Sequence, residues 1–484
     1  MNSKIFRIIL GRLLIAYGVV MLAPAGMAFY YQEVTASSFT IVGLLTIVFG
    51  LFLHFAGGTE GRMGVRESLT IVATSWIVTV ILGSLPLFIS GVVPDYMDAL
   101  FEITSGLTAT GATALTALEG LPRSILFWRS MTHWLGGMGI IVLFIVLLPN
   151  IGIGAVHLFK AEVPGPTNEK VMPRIRDTAL TLWGIYVGLT ILEIILLMIA
   201  GMTPFDAVNH AFSNMATGGF STKDTNIGYF NSFTIELIMV TFMIISGVNF
   251  TIYVNYWRKG SINVLRNTEL KVYLFMIFSS ILVVAGALVF QGEYEWNLAL
   301  RHAMFEVTTI ITTTGFFITD YDTWPSLSKM LLFFLMFSGG CAASTTGGLK
   351  VGRLVLLVKM GWANIKQAIH PRLVINIEVQ DKAIEPFILQ RVVRFFFLYI
   401  FIFVFGSILL AATGLEPFEA MGATIACLGN VGPAFGIAGP LSTYQDISSF
   451  GKFILSWLML LGRLELYTIL ILFIPEFWRT KRNW

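Results

Sequence analysis

The stretch TSGLTATGATAL, Thr104 to Leu115, interrupts an otherwise apolar chain with threonine, alanine and glycine. Similar stretches surround three later glycines, in NMATGGFST (Gly219), ITTTGFFIT (Gly315) and CLGNVGPAF (Gly432). Counting back from the four glycines by the same number of residues always gives an alanine: Ala99, Ala207, Ala303 and Ala420. Recurrence at intervals of roughly a hundred residues is typical of an internal repeat. The sequence therefore predicts four diverged copies of one structural unit.

The overall composition indicates a membrane protein. Of the 484 residues, 56% are hydrophobic and 12% are charged, and the mean hydropathy is +0.79. Soluble domains carry roughly a quarter charged residues, so we expect an integral membrane protein. The two cysteines, Cys341 and Cys427, do not form a CxxC pair. The sequence thus indicates neither a disulfide framework nor a zinc site.

Ten long apolar segments predict membrane spans, each of which needs about 20 residues. They cover residues 8–31, 38–56, 69–91, 124–149, 178–201, 230–256, 270–290, 327–358, 392–413 and 450–476. The last eight flank the four glycine stretches in pairs, so each unit is predicted as a span, a re-entrant segment and a second span. A re-entrant helix of about ten residues is about 15 Å long, half the thickness of a bilayer.

The first apolar segment has two interpretations. Basic residues precede it, and Ala23-Pro24-Ala25 resembles the cleavage site of a signal peptide. However, the apolar run continues to Tyr30 and Tyr31, which suit the aromatic belt at a membrane interface. We therefore predict an uncleaved span. The orientation of the other spans is the same in both cases.

Basic residues cluster on one side of the predicted spans. With a cytoplasmic N-terminus, most of the 31 lysines and arginines fall in cytoplasmic segments. The positive-inside rule therefore predicts that both termini are cytoplasmic. Because each unit crosses the membrane twice, we expect four parallel repeats about an axis along the membrane normal.

The re-entrant segments then enter from the outside, and acidic residues stand at their entrances. Two compatible interpretations are open. The carboxylates can cap the N-termini of the short helices, or they can attract cations to the mouth of a pore. The residues are Asp95, Asp98, Asp206, Glu293, Glu295, Glu416 and Glu419.

The four glycine stretches are suited to binding a cation. Irregular backbone at membrane depth is tolerated only where protein buries it or where it lines a water-filled cavity. Glycine lets the backbone turn its carbonyl oxygens towards a common axis, and rings of carbonyls can replace the hydration shell of a monovalent cation. The alternative is helix packing through small residues, which four matched copies disfavour.

The motifs TATGAT, ATGGFS, TTTGFF and GNVGPA resemble the Trk/Ktr/HKT superfamily of potassium transporters. The two additional N-terminal spans and the segments ATGGFST, TTTGF and STTGGLK are most similar to its bacterial TrkH/TrkG branch. The resemblance implies an all-α integral membrane fold, with four parallel span, pore-loop, span repeats in pseudo-fourfold arrangement around one pore and two N-terminal transmembrane helices. The expected units are an N-terminal two-helix unit at 1–67 and pore repeats at 68–160, 161–265, 266–375 and 376–484, the third with an intramembrane gate loop.

The resemblance also implies a selectivity filter whose backbone carbonyls bind potassium. In the family, serine at the first filter glycine accompanies sodium permeation, so Gly111 implies a preference for potassium. The fourth stretch, GNVGP, departs most from the family's TxG pattern. The expected filter residues are Thr108, Ala109, Thr110 and Gly111; Ala216, Thr217, Gly218 and Gly219; Thr312, Thr313, Thr314 and Gly315; and Gly429, Asn430, Val431 and Gly432.

A second motif, SGGCAASTTGG from Ser338 to Gly348, divides the long apolar segment 327–358. It is not a phosphate-binding loop, because GxxxxGK followed by Ser or Thr is absent. The residues alone leave open close helix packing through their four-residue spacing of small side chains, at Gly340, Ser344 and Gly348. The resemblance implies instead a gate beneath the filter, formed by Gly339, Gly340, Cys341, Ala342, Ala343, Ser344, Thr345, Thr346, Gly347 and Gly348.

Arg463 lies deep within the final apolar segment, where a charge usually faces protein or water. It can pair with a carboxylate for packing, but Glu465 is too near in sequence to share its helix face. The resemblance implies that a basic residue here lies near the gate loop and contributes to the barrier. His133 and Glu193, also within spans, have no counterparts in the other repeats, and we interpret them as packing or solvated-cavity residues.

These features predict potassium uptake through a channel-like, potassium-selective pore with a gate below the filter. The alternatives are a potassium symporter coupled to sodium or protons, and a scaffold whose glycines serve packing alone. An enzyme is not expected, because no catalytic constellation recurs, and the chain carries no nucleotide motif. The resemblance further implies a homodimer in the lipid of the bacterial inner membrane, regulated by a cytosolic TrkA-type nucleotide-binding ring. No nucleic-acid partner is expected.

Overall fold

The computed structural model describes residues 3–57, 64–139, 175–259, 267–292, 294–372, 376–379 and 382–479. These residues are mostly helical. The strands among them are β1 (Glu378–Val379) and β2 (Lys382–Ala383), a short antiparallel pair. The predicted all-α fold is therefore confirmed.

The two N-terminal helices, α1 (Ser3–Tyr30) and α2 (Thr35–Phe55), form a closely packed hairpin. A Cβ atom on Gly11 would lie 2.6 Å from the carbonyl oxygen of Gly50, so the two backbones approach each other directly. Small residues at such contacts are typical of helix pairs in membranes. Close backbone contact thus contributes to holding the hairpin together.

Each of the four repeats has a long outer helix, a short pore helix and an inner segment. The first contains outer helix α3 (Val65–Ile89), pore helix α4 (Tyr96–Thr108) and inner helix α5 (Arg123–Gly137). The second contains α6 (Ile175–Ile199), α7 (Pro204–Met215), and α8 (Phe233–Ser246) with α9 (Phe250–Lys259). The third contains α10 (Thr268–Phe290), α11 (Trp296–Ile311), and α12 (Ser326–Leu335) with α13 (Val351–Ile369). The fourth contains α14 (Pro386–Ala411), α15 (Pro417–Leu428), and α16 (Ser449–Arg463) with α17 (Tyr467–Leu470), followed by α18 (Pro475–Trp478).

The inner segments are broken in three repeats. The sequence predicts the interruption of segment 327–358 at Ser338 to Gly348, but continuous spans at 230–256 and 450–476. The predicted spans 230–256, 327–358 and 450–476 each divide into two helices. In the fourth repeat, the chain bends by 111° after α16, and Glu465 and Leu466 make the turn with positive φ. Such breaks are tolerated at membrane depth where the freed backbone groups find partners within the protein. The last ten residues of the predicted span 124–149, residues 140–149, lie outside the described residues.

Six helices among the described residues are long and apolar enough to cross a membrane, and the bent pair in the fourth repeat adds up to one more. The chain is therefore a multi-pass membrane protein. The unit boundaries predicted at 160/161 and 265/266, residue 375 and Glu293 lie outside the described residues. The first outer helix begins at Val65, close to the predicted end of the N-terminal unit at residue 67.

Candidate functional site

The four predicted filter stretches share one backbone conformation. They are called filter loops 1 to 4 and comprise Thr108–Gly111, Ala216–Gly219, Thr312–Gly315 and Gly429–Gly432. A left-handed residue closes each pore helix, with φ between 52° and 57° at Ala109, Thr217, Thr313 and Asn430. The next amide in each loop donates to the carbonyl five residues earlier, at 2.7 to 2.9 Å, as in a Schellman cap. Because residues other than glycine rarely adopt this conformation, its presence in all four loops, including the divergent GNVGP, marks one specified turn.

The glycines at the ends of the filter loops form a closed ring of contacts. Cβ atoms built on Gly111, Gly219, Gly315 and Gly432 would lie less than 3.0 Å from the carbonyl oxygens of Gly218, Thr314, Val431 and Thr110, respectively. Each of these oxygens belongs to the residue before the glycine of the next loop, and the fourth contact returns to loop 1. The glycines also have φ between 80° and 99°, so both space and backbone conformation require glycine. The four repeats thus surround one axis, and the predicted pseudo-fourfold arrangement is confirmed.

A cavity of about 250 Å³ adjoins the ring. Gly111, Gly219 and Gly315 line it, and the segments that follow the filter loops form its walls, including Thr113 and Asp224. The filter-loop residues themselves are buried, except for Gly111, which is partly exposed. The cavity therefore forms a vestibule that leads to the ring of glycines.

The acidic residues at the entrances differ in their surroundings. Asp98 pairs with Lys452 at 2.5 Å. The buried Asp206 accepts hydrogen bonds from two threonine hydroxyls, at 2.6 and 2.8 Å. Glu295 and Glu416 are exposed at the starts of α11 and α15. The first two carboxylates thus serve structure, whereas the exposed pair leaves the attraction of cations open.

In three repeats, the side chain at the same position of the pore helix supports the segment that follows the filter loop. Glu102 accepts a hydrogen bond from the Thr113 hydroxyl at 3.0 Å. In the second repeat, His210 Nε2 lies 2.9 Å from Ser221 Oγ. In the third repeat, Glu306 accepts hydrogen bonds from two backbone amides that follow filter loop 3, at 2.8 and 3.3 Å. The sequence predictions do not include these residues, although each lies nine positions before its glycine. Alignment of the repeats at that position is the signal that identifies them.

The predicted gate residues, Gly339 to Gly348, form an irregular loop between α12 and α13. The loop is attached to the break in the second repeat, because the Cys341 amide donates to the Gly247 carbonyl at 2.9 Å. The Ala343 carbonyl accepts from the Phe250 amide at 3.1 Å. Since the segment is not helical, the interpretation of its small residues as a helix-packing motif is wrong.

The loop also closes on itself. The Gly340 amide donates to Thr346 Oγ1 at 3.0 Å, and Ser344 Oγ lies 2.8 Å from the same oxygen. A Cβ atom on Gly339 would lie less than 3.0 Å from the Gly347 carbonyl oxygen, so the two ends of the loop touch. Small and hydroxyl-bearing residues therefore let this stretch fold back tightly without leaving these polar groups unpaired.

The loop lies directly against filter loops 3 and 4. The Gly347 amide donates to Thr313 Oγ1 at 2.8 Å, and a Cβ atom on Gly347 would lie less than 3.0 Å from the Gly429 carbonyl oxygen. The other loop residues are buried, except for Ala343 and Gly348, which are partly exposed. The structure thus brings the predicted gate residues into contact with the predicted filter residues.

Arg463 connects three repeats at the level of the loop. From the end of α16, its guanidinium donates to the Thr345 carbonyl at 2.7 Å. It also donates to the carbonyls of Gly136 and Gly137, at the end of α5, at 2.6 Å each. The side chain therefore ties the loop of the third repeat to the inner helix of the first.

Two further basic residues, absent from the sequence predictions, lie beside the loop. Arg353 donates to both carboxylate oxygens of Glu465 at 2.8 Å and stacks 4.0 Å from the centre of the Phe395 ring. The buried Lys350 donates to the carbonyl of Thr346 and, at 3.0 Å, to its hydroxyl. Their occurrence within an apolar segment is the signal that could have identified them, because charges at membrane depth are usually functional or paired.

His133 and Glu193 are buried and pack behind filter loop 2. The His133 ring stacks on Phe220 with centroids 4.0 Å apart, and a Cβ atom on Gly218 would lie less than 3.0 Å from that ring. Glu193 accepts a hydrogen bond from the side-chain Nδ2 of Asn214 at 2.5 Å. These contacts favour the packing interpretation of both residues.

Comparison with protein families matches residues 35–480 to the TrkH family, described as a cation transport protein. The Trk system potassium uptake protein TrkH of Halomonas elongata is 38% identical over 99% of this chain and 100% of its own length. TrkH and TrkG of Escherichia coli K12 are 39% and 34% identical, each over 99% of this chain and 100% of the relative. The crystal structure of the potassium transporter TrkH from Vibrio parahaemolyticus superposes with a TM-score of 0.89 and 37% identity, over 99% of this chain and 100% of that one. With matches over nearly its full length, the chain belongs to the TrkH family of cation transport proteins.

Proposed function

We propose that this chain mediates potassium uptake across the bacterial inner membrane through a channel-like pore whose selectivity filter is the ring of four filter loops. The observation that carries the proposal is the closed contact of four glycines with the carbonyls of neighbouring loops. Rings of carbonyls can substitute for the hydration shell of potassium. Relatives named as potassium uptake proteins and a potassium transporter support the same ion.

The pore helices reinforce the ring electrostatically. Each ends immediately before or within its filter loop, at Thr108, Met215, Ile311 and Leu428. The C-terminal end of a helix carries a partial negative charge, so four such ends favour a cation at the centre. Backbone carbonyls of the filter-loop residues are then the ligands of potassium, which is the transported ion rather than a resident cofactor.

The intramembrane loop and Arg463 form the gate in this proposal. The loop lies against filter loops 3 and 4 through Gly347, and Arg463 fixes it to the first repeat. A positive charge at this depth opposes the passage of a cation. Opening therefore requires the loop to leave the axis and Arg463 to release at least one of its carbonyl partners.

Regulation by a cytosolic TrkA-type nucleotide-binding ring and assembly as a homodimer complete the proposal, with both termini cytoplasmic. The exposed basic Lys366, in the C-terminal half of α13, supports a docking role for this helix. The same family relationship supports transport rather than catalysis.

Cation flux into liposomes tests the proposal directly. Purified protein is reconstituted, and uptake of potassium, rubidium, sodium and lithium is compared under matched gradients. We expect potassium and rubidium to be preferred and the reversal potential to follow the permeant ion alone. A fixed coupling ratio with sodium or protons would establish a symporter instead, and equal flux of all four ions would refute the filter.

A further inference from the structure

A buried ion pair lies behind filter loops 1 and 2. Arg129, on α5, is 1% exposed, and its Nε donates to the fully buried Glu102 of α4 at 2.6 Å. Its Nη1 donates to the Ser221 carbonyl at 3.2 Å, and its Nη2 donates to the Thr113 hydroxyl at 3.2 Å. All three nitrogens of the guanidinium group therefore have partners.

Two partners of Arg129 belong to the segments that follow two different filter loops. Thr113 is the second residue after Gly111, and Ser221 is the second residue after Gly219. The guanidinium carbon also lies 4.1 Å from the centre of the Phe220 ring, between these elements. One side chain thus connects the ends of loops 1 and 2 just beyond the ring of glycines.

The support of the third filter loop lacks the arginine. Glu102 accepts a hydrogen bond from the Ala114 amide of its own repeat at 3.1 Å, and Glu306, at the corresponding position, likewise accepts from two backbone amides of its repeat. Among the described residues, however, no basic side chain pairs with Glu306, whereas Arg129 pairs with Glu102. His210, at this position in the second repeat, bonds to the Ser221 hydroxyl. The backbone of the ring is fourfold, but the side chains that hold it are not. Arg129, paired with Glu102, donates hydrogen bonds to the segments that follow both loops 1 and 2.

We propose that Arg129 is a positioning residue for ion selectivity. With Glu102, it fixes the separation of filter loops 1 and 2 and keeps the wall behind them electrically neutral. The inference rests on the proposed function, in which the ring of filter loops is the selectivity filter. A carbonyl ring discriminates between ions through the number and placement of its oxygens, so a change in the separation of two loops alters the preference for potassium.

Arginine is specifically suited to this position. Its planar guanidinium presents five donors in a fixed fork, whereas lysine presents a single ammonium point charge. In the Arg129→Lys variant, the charge remains opposite Glu102, but one ammonium group cannot also reach Ser221 and Thr113. The variant therefore keeps the positive charge at position 129 but loses the hydrogen bonds that connect the two loops.

The test measures two quantities in liposomes, the potassium-to-sodium permeability ratio and the potassium concentration at half-maximal flux. We expect Arg129→Lys to lower the permeability ratio about tenfold, because hydrogen bonds to both loops are lost. Glu102→Gln should raise the half-maximal concentration, since it leaves an unpaired positive charge beside the cation pathway. The paired variant Glu102→Gln/Arg129→Met removes both charges together, which buried pairs tolerate better than the loss of one. It should restore the half-maximal concentration but not the permeability ratio.

A matched control comes from the Glu236–Arg301 pair, which has the same 2.6 Å separation and leaves Arg301 26% exposed. The Glu236→Gln/Arg301→Met variant should keep the wild-type permeability ratio. A folded Glu102→Gln/Arg129→Met protein with the wild-type ratio would overturn the inference. If Gly111→Ser lowers the ratio in the same assay, the filter assignment stands in spite of that failure. If the wild-type protein does not discriminate between the ions, the filter assignment itself fails.

Discussion

Gly111→Ser introduces a side chain at a point where the ring has no room for one. A Cβ atom at residue 111 would lie less than 3.0 Å from the carbonyl oxygen of Gly218, and the backbone has a φ of 87°. The left-handed conformation costs a residue with a side chain about 1–2 kcal/mol. Excess volume in a packed site costs about another 1–3 kcal/mol. Relief of this strain requires filter loop 2 to move away from loop 1.

That movement should reduce the discrimination between potassium and sodium. If about 1.4 kcal/mol of the strain is relieved at the expense of potassium binding, the permeability ratio falls about tenfold. Parallel flux measurements with potassium and sodium in liposomes give this ratio, and thermal unfolding of the purified protein gives the loss of stability.

Gly91→Ser is a control that changes a glycine with a left-handed backbone but without a close neighbouring carbonyl oxygen. Gly91 has a comparable φ of 72°, but a Cβ atom there would meet nothing within 4 Å. This variant should lose stability through its backbone and retain the wild-type permeability ratio. The reasoning is refuted if Gly111→Ser leaves the ratio unchanged, or if Gly91→Ser lowers it equally.

Three further changes test the gate and the support of the ring. Shortening the loop Gly339–Gly348 should increase basal potassium leak into liposomes, because the loop lies against the filter; unchanged or lower flux in folded protein would argue against a gate. Arg463→Ala should also increase flux, since it removes a positive charge and three hydrogen bonds to backbone carbonyls. Arg463→Lys is the control that retains the charge, and wild-type flux in the alanine variant would contradict the assigned barrier. Glu306→Ala should lower the free energy of unfolding by about 1–3 kcal/mol, because two amides lose their buried acceptor. Glu306→Gln, which keeps an acceptor oxygen, should lose less, and an alanine variant of wild-type stability would exclude this supporting role.

The ring could be predicted from the sequence because each glycine meets two requirements at its own position. A left-handed φ and a close carbonyl oxygen disfavour other residues at that position, so the glycines stand out among flanking residues that differ. Filter loop 4 shows that a different sequence can adopt the same backbone conformation. Asn430 adopts a φ of 55°, as Thr217 and Thr313 adopt 57° and 53°, although GNVGP does not contain the TxG pattern.

The breaks in the inner segments of the second and fourth repeats could not be predicted in this way. Hydropathy reports the composition of a segment and not its continuity, and LMLLGRLELYTIL reads as part of one apolar span. The break there is stabilised by remote groups, since Arg463 bonds to Gly136 and Glu465 bonds to Arg353. Such partners are far apart in the chain and become neighbours only in the folded protein.

The ion pair behind the filter illustrates the same limit. Glu102 and Arg129 are each visible as charged residues in or beside apolar segments, a reason to suspect a role for both. Their pairing, however, joins a pore helix to an inner helix and extends to Ser221 in the next repeat. No periodicity within either segment encodes this connection.

Because the ring is built from one polypeptide, its quarters can be altered independently by mutation. In an assembly of four identical subunits, one codon change alters every quarter at once. Here, serine can be introduced at a single glycine, at the adjacent pair Gly111 and Gly219, or at the opposite pair Gly111 and Gly315. A comparison of adjacent with opposite double variants would reveal whether a displacement of one filter loop affects its neighbouring loops or the loop opposite to it. The same independence lets each quarter diversify alone, so under the proposed function ion preference can change by small increments rather than in one fourfold step.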